Sequence, residues 1–223
     1  MTELSLLQLV SPALPVGAFS YSEGLEVLIQ NNAICDEDAL LSWLEAELLR
    51  GALRIDAAAL RPLSALLFAW LASSDDSARE RLIDLDSWLQ ASREAAEVRA
   101  QQRQMGDSLF QLLAELGHHL PEDLRLSWPS AWAWACLALK IDDQAMVQGY
   151  LYSWVANQLS AAVRLLPLGP SRAQVLQHKL VPLILAQASE LELADPRQLW
   201  SSGVGAGLAQ LSHAELYSRL FRS

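Results

Sequence analysis

Histidine, cysteine and arginine are the side chains of this 223-residue chain best suited to chemistry, and their spacing does not assemble a reactive set. His118 and His119 are adjacent, so on a helix they point about 100° apart, and no cysteine or carboxylate partners complete a metal site around them. After Gly117 and before Pro121 they suit a helix C-terminus, where imidazole favours the dipole. His178 and His213 stand alone, and Cys35 and Cys136 form no metal-binding, redox or disulfide pattern. The alternating glycines Gly203, Gly205 and Gly207 lack the Lys-Ser/Thr and preceding strand of a phosphate loop. No Ser/His/Asp order is present. The expectation is a protein without catalysis of its own, holding no metal or cofactor directly.

Charge narrows the partners. The net charge is −10, and residues 1–143 carry 10 basic and 22 acidic side chains against 6 and 4 in 144–223. An acidic chain of this kind does not suit free nucleic acid, whose phosphates require a basic face. The aromatic run Trp128-Pro129-Ser-Ala-Trp132-Ala-Trp134 has no interleaved basic residues, so it suits helix packing better than base stacking.

These residues need positioning, and the chain supplies helices for it. Hydrophobic residues make up 52%, Leu and Ala dominate, and strand formers are scarce. From Gln144 to Val163 there is no charge, and apolar or small residues occupy every side. Asp142 and Asp143 cap its start and Pro167 stops its end, giving a helix over about 142–166 that spans roughly 35 Å. Gln144, Gln148, Asn157 and Gln158 argue against lipid around it. It is read as the central buried helix of an all-α, single-domain multi-helix bundle.

Other helices follow by punctuation: 3–10 before Ser11-Pro12, one capped by Asp36 and ended at Gly51, 54–72 with Pro62, and two pieces between Ser77 and Leu116 meeting near Ser92. Residues Ser73-Ser-Asp-Asp-Ser77 form a loop and N-cap. Later come a helix from Ser171 to Glu192 kinked at Pro182, and a short one from Asp195-Pro196 to Trp200. Arg93, Glu94, Glu97, Arg99 and Arg103 have the spacing of surface ion pairs, and Gly106 within a helix predicts a close approach by a neighbour. The glycines at 203–207 predict a hinge dividing a domain, 1–207, from a flexible tail, 208–223. That tail carries Tyr217, Arg219, Leu220, Phe221 and Arg222, types enriched at interfaces, and is expected to order on binding. Arg164, at the end of a long apolar helix, either bonds its own last carbonyls or presents its fork to a partner.

Several stretches together resemble one family. Leu7-Gln8-Leu9 leading into Ser11-Pro-Ala-Leu-Pro-Val-Gly-Ala-Phe19-Ser-Tyr21-Ser-Glu23-Gly-Leu-Glu26 is similar to the opening signature of the urease accessory protein UreF. Arg93-Glu94…Glu97-Val-Arg99…Met105-Gly106, Ser160-Ala-Ala-Val-Arg164-Leu-Leu-Pro-Leu-Gly169…Gln174 and His213…Tyr217-Ser-Arg219-Leu220-Phe221-Arg222-Ser223 resemble it in the same order. The chain departs from the family pattern at Pro170, where glutamine is usual, and at Ala214, where glutamate is usual, although Glu215 follows. The resemblance implies a dimeric, cytoplasmic accessory protein that binds UreD (also called UreH) and the GTPase UreG while nickel enters apo-urease, the partners handling nickel and GTP. It implies partner contacts at Phe19, Tyr21, Glu23, Arg164, His213, Tyr217, Arg219, Leu220, Phe221 and Arg222. An alternative is activation of the GTPase, with Arg164 or Arg219 supplying transition-state charge. The opening Met1-Thr-Glu-Leu lacks a signal-peptide pattern, and no membrane contact is expected.

Overall fold

The computed structural model describes residues 2–73, 75–121 and 124–223, and among these every regular element is helical. The helices are α1 (Thr2–Leu9), α2 (Leu25–Gln30), α3 (Glu37–Arg50), α4 (Leu53–Ser73), α5 (Asp76–Ala91), α6 (Ala96–Glu115), α7 (Trp128–Ala138), α8 (Asp143–Leu165), α9 (Pro170–Leu191) and α10 (Val204–Ser212). Their ends follow the capping chemistry in the sequence. Asp36 accepts the Ala39 N–H at 2.8 Å and Asp142 the Ala145 N–H at 2.8 Å, each satisfying a free donor of the first turn. Asp75 caps α5 through Ser77 N–H, while Ser74 of the predicted loop lies outside the described residues. The helix predicted to begin at Ser171 starts one residue earlier, because Pro170 fits the first helical position, and it runs on through Pro182.

The charge-free segment forms α8 as predicted, packed against α1, α2, α4, α7 and α9. It is not enclosed on every side. Tyr152, Ser160 and Arg164 are exposed and Gln148 and Ala156 half-buried, a stripe at i, i+4 spacing that α1 and α9 leave open. A second axis is α4, which touches α3, α5, α7, α8 and α9. By length and composition α4 could cross a membrane, yet most of its apolar window is buried against those neighbours, the placement of a core helix.

The tryptophans do pack the core. Trp132 is fully buried, its indole N–H donates to Met146 O at 3.1 Å, and its ring meets Trp128 at 5.5 Å and Tyr150 at 5.8 Å. The N-terminus of α7 is fixed by Asp86 of α5, whose buried carboxylate accepts from Ser127 N–H (2.7 Å) and from the Ser127 and Ser130 hydroxyls (both 2.6 Å).

The Arg93–Arg103 run departs from the predicted surface pairing. Arg93 forms a buried ion pair with Asp56 of α4, Arg99 caps the carbonyls of Arg93 and Glu94, and Arg103 reaches Arg125 O. These side chains tie segments together because the free carbonyls beside α6 and the buried carboxylate beneath it need donors more than the open surface does.

Gly106 has the close neighbour its sequence context predicts. A Cβ there would lie 2.6 Å from Leu126 O and 2.9 Å from Ser127 C, both main chain. Alanine normally stabilises a helix by about 1 kcal/mol over glycine. Here the clash reverses the sign: Gly106→Ala should lower stability by about 1–2 kcal/mol net in urea unfolding. A stabilised variant would contradict the packing described.

Candidate partner interface and the docked C-terminal segment

The four stretches that carry the resemblance converge in space. The loop before α2 turns on Gly17 (φ 72°), Glu23 (φ 51°) and Gly24 (φ 89°). Gly24 is required twice, for its left-handed φ and because a Cβ would lie 3.0 Å from Gln210 N and 3.1 Å from Ala209 Cβ on α10. The turn therefore brings α2 against α10, and the chain beyond α10 folds back over both.

The tail is docked. Of the predicted hinge glycines, Gly205 and Gly207 lie inside α10 and Gly203 sits at its N-cap, and the segment beyond α10 lies on α2 and α6, so the division at 207 falls inside a helix. The anchor is Glu26 of α2, a carboxylate 2% exposed. It accepts Leu220 N–H at 2.7 Å and Phe221 N–H at 3.1 Å, with His213 Nε2 at 3.3 Å. The other ring nitrogen of His213 faces Glu97 at 2.9 Å, and Glu97 also accepts from Arg219 at 2.8 Å. Ser22 completes the dock: its N–H and hydroxyl, with Glu23 N–H, all donate to the main-chain oxygen of Ser223 at 2.6–3.1 Å. The loop before α2 returns one bond, Ser20 O accepting Arg222 N–H at 2.8 Å.

The ten predicted contact residues divide by direction. Phe19 (66% exposed), Arg164, Tyr217 (fully exposed), Arg219, Leu220 and Arg222 reach the surface. Tyr21, His213 and Phe221 are buried, and Glu23 points inward, so these four support the surface and do not form it. Tyr21 donates to Gln104 at 2.9 Å. Glu23 accepts from Gln101 at 2.6 Å and from the Trp154 indole at 2.9 Å, while Ser223 Oγ donates to the other end of Gln101 at 2.6 Å. Phe221 is covered by the Arg164 guanidinium, 4.6 Å above its ring, and Arg164 also donates to Phe19 O at 3.2 Å. Arg164 thus joins two of the stretches instead of capping its own helix. Of the departures from the family pattern, Pro170 opens α9, and Ala214 and Glu215 are exposed on the outer side of the fold-back.

Sequence reasoning missed Glu26, Ser22, Glu97 and Gln101 as determinants here. The available signal was an acid, Glu26, set directly between Leu25 and Val27-Leu-Ile29, where a charge is buried only with partners. Among the described residues no group of three or more His, Cys, Asp or Glu is placed to hold a metal ion.

Beneath the dock is a polar chamber of about 50 Å³, walled by Glu23, Glu47, Asp56, Arg93, Tyr150 and Gln158 among others. Burial, with Asp56 alongside, pushes the Tyr150 hydroxyl well above its usual range, and that hydroxyl donates to Asp56 at 3.3 Å. Burial and then the nearby Glu23 charge raise the Glu47 carboxyl from 4.5 to about 7. Glu47 lies beside Gly203, where a Cβ would come within 3.3 Å of its Oε1, so the start of α10 rests on this carboxyl.

Comparison with known proteins follows the same residues. The family model described as UreF matches residues 34–181. A protein of Prochlorococcus marinus subsp. pastoris is 37% identical over 218 residues, covering 96% of each chain. One of Microcystis aeruginosa is 41% identical over 224 residues, covering 99% of this chain and 97% of its own, and one of a Nostoc species is 40% identical over 228, covering 99% and 95%. All three are named urease accessory protein UreF.

The Glu47 shift has a consequence for stability. A carboxyl raised on folding contributes stability that is complete below its ordinary value of 4.5 and is lost as pH climbs through about 7. Glu47→Gln should therefore match the wild type in urea unfolding at pH 4.5 and exceed it at pH 8 by about 2 kcal/mol, discounted for partial exposure. An equal or lower stability at pH 8 would contradict the buried setting of Glu47.

Proposed function

Because this chain belongs to the UreF family of urease accessory proteins, with a role in urease maturation, we propose that it works as a non-catalytic scaffold. In this reading it assembles with UreD and the GTPase UreG in the cytoplasm and holds them in place while nickel enters apo-urease. The observation that carries the reading is the outward set on the docked segment. Tyr217, Leu220 and Arg222 are exposed on a segment whose inner side is fixed by Glu26, Glu97 and Ser22, with Phe19 and Arg164 exposed beside it. A rigid display of aromatic, aliphatic and arginine side chains suits a partner surface, since little ordering entropy remains to be lost on binding.

Self-association finds a surface of suitable character elsewhere. An apolar groove of about 640 Å³ runs between α1, α8 and α9, walled by Leu6, Leu7, Val10, Tyr152, Ile184 and Leu185, with Leu7, Tyr152 and Leu185 exposed. We assign the second copy of a homodimer to this groove.

The activator reading has less support. An arginine finger must be free to reach a nucleotide, whereas Arg164 is held by Phe19 O and the Phe221 ring, and Arg219 by Glu97.

Ending the chain at Gly207 would cut through α10 and strip Glu26 of His213 and the Leu220 and Phe221 amides, so point variants are the cleaner test. The full chain should co-elute with cognate UreD and UreG on gel filtration. Phe19→Ala and Tyr217→Ala, each removing an exposed side chain, should leave folding intact and weaken the complex by about tenfold or more, the effect of losing about 1.4 kcal/mol at an interface. Complexes of undiminished affinity in both variants would remove this face from the account.

A further inference from the structure

The polar chamber of about 50 Å³ beneath the dock is walled in part by groups whose hydrogen bonds are unmet. Among the described residues, Trp43 Nε1 of α3, Gln102 Oε1 of α6 and Gln158 Oε1 of α8 are buried atoms with no hydrogen-bond partner, and all three residues line this chamber. Gln102 is 6% exposed and Gln158 2%. Trp154 supplies the contrast. Its ring lies 5.9 Å from that of Trp43 in the same wall, but its indole N–H donates to Glu23 at 2.9 Å. A buried donor or acceptor left unmade carries its full desolvation penalty. Three such groups, brought to one space by three helices, point to a ligand that completes them.

The unmet groups select the ligand. Two are acceptors and one is a donor. A cation would suit the two amide oxygens but would face the Trp43 N–H and the Arg93 guanidinium, whereas an anion would face Glu23, Glu47 and Asp56. A neutral molecule that both donates and accepts answers every group. Water does so in the least space, needing roughly 10–15 Å³ for each molecule. We propose that the chamber binds a cluster of a few ordered waters, which bridge Trp43, Gln102 and Gln158 and so bond α3, α6 and α8 to one another. Ala206 and Gln210 of α10 also line the chamber, so the cluster lies under the helix that leads into the docked segment. Its waters do here what a side chain does at the start of α7, where Asp86 gathers the donors. The site goes beyond the scaffold reading and does not depend on it.

Water-selective NOE and ROE spectra of the ¹⁵N-labelled full chain test this without any variant. The assigned Trp43 indole N–H should show water cross-peaks of opposite sign in the two spectra, the mark of a long-lived bound water. The Trp132 indole, fully buried and bonded to Met146 O, should show none. Ser153 places a labile hydroxyl in the wall, so oxygen-17 relaxation dispersion, which is blind to labile hydrogens, supplies an independent count. Gln158→Leu, apolar and close in volume, should lose at least one long-lived water by that count. It should also lower the urea midpoint by roughly 0.5 M, because the waters lose a partner. In a dry chamber the same variant would remove an unmet amide and raise the midpoint. Should Gln158→Leu fail to fold, the wild-type spectra decide alone. No water cross-peak at Trp43, equal signs in the two spectra, an unchanged water count in Gln158→Leu, or a raised midpoint would overturn the proposal.

Discussion

Glu26 sets the constraint on which the arrangement of this molecule depends. Its carboxylate is withdrawn from water on a short helix in the first tenth or so of the chain, and it is satisfied only if residues some 190 positions later return to it. The apolar core of α4, α7 and α8 supplies the gross driving force for folding, but burial of leucine and alanine is indifferent to where a terminal segment lies. Hydrogen bonds to a buried charge are not indifferent, since each unmade bond leaves a desolvated acceptor. Glu26 therefore decides the path of the last eleven residues, and with it which of their side chains face out.

The same logic recurs across the fold. Asp86 of α5 gathers three donors at the start of α7, and Asp56 of α4 pairs with Arg93 beyond α5. In each case a buried carboxylate on one helix specifies the position of a segment far away in sequence. Helix faces of similar leucine and alanine content could pack in several registers, and these polar contacts select one.

Those long-range contacts mark the limit of what the sequence discloses. Local chemistry was legible: aspartates at helix starts, prolines at helix ends, a charge-free stretch for α8, and a glycine at 106 where two segments meet. The resemblance located the stretches that matter. Their meaning depended on partners that no local pattern names. Arg93 and Glu97 read as surface charges because their spacing suits i, i+4 pairs, yet each engages a residue on another segment. The glycines at 203–207 read as a hinge because glycine disfavours helix, but tertiary contacts on Gly24 and beside Glu47 override that small propensity. Phe221 read as outward from the interface composition of its segment and His213 from the resemblance, and neither signal says which member of a contact faces in.

The proposed partner surface requires a terminal segment that is folded against the body before any partner arrives. Backbone ¹⁵N relaxation of the isolated full chain measures this most directly. Order parameters near 0.85 through residues 213–223, equal to those of α4 and α8, are the predicted result. Values below about 0.6 in that segment would mean that Glu26 does not hold it, and the surface assigned to partners would not exist in the free protein.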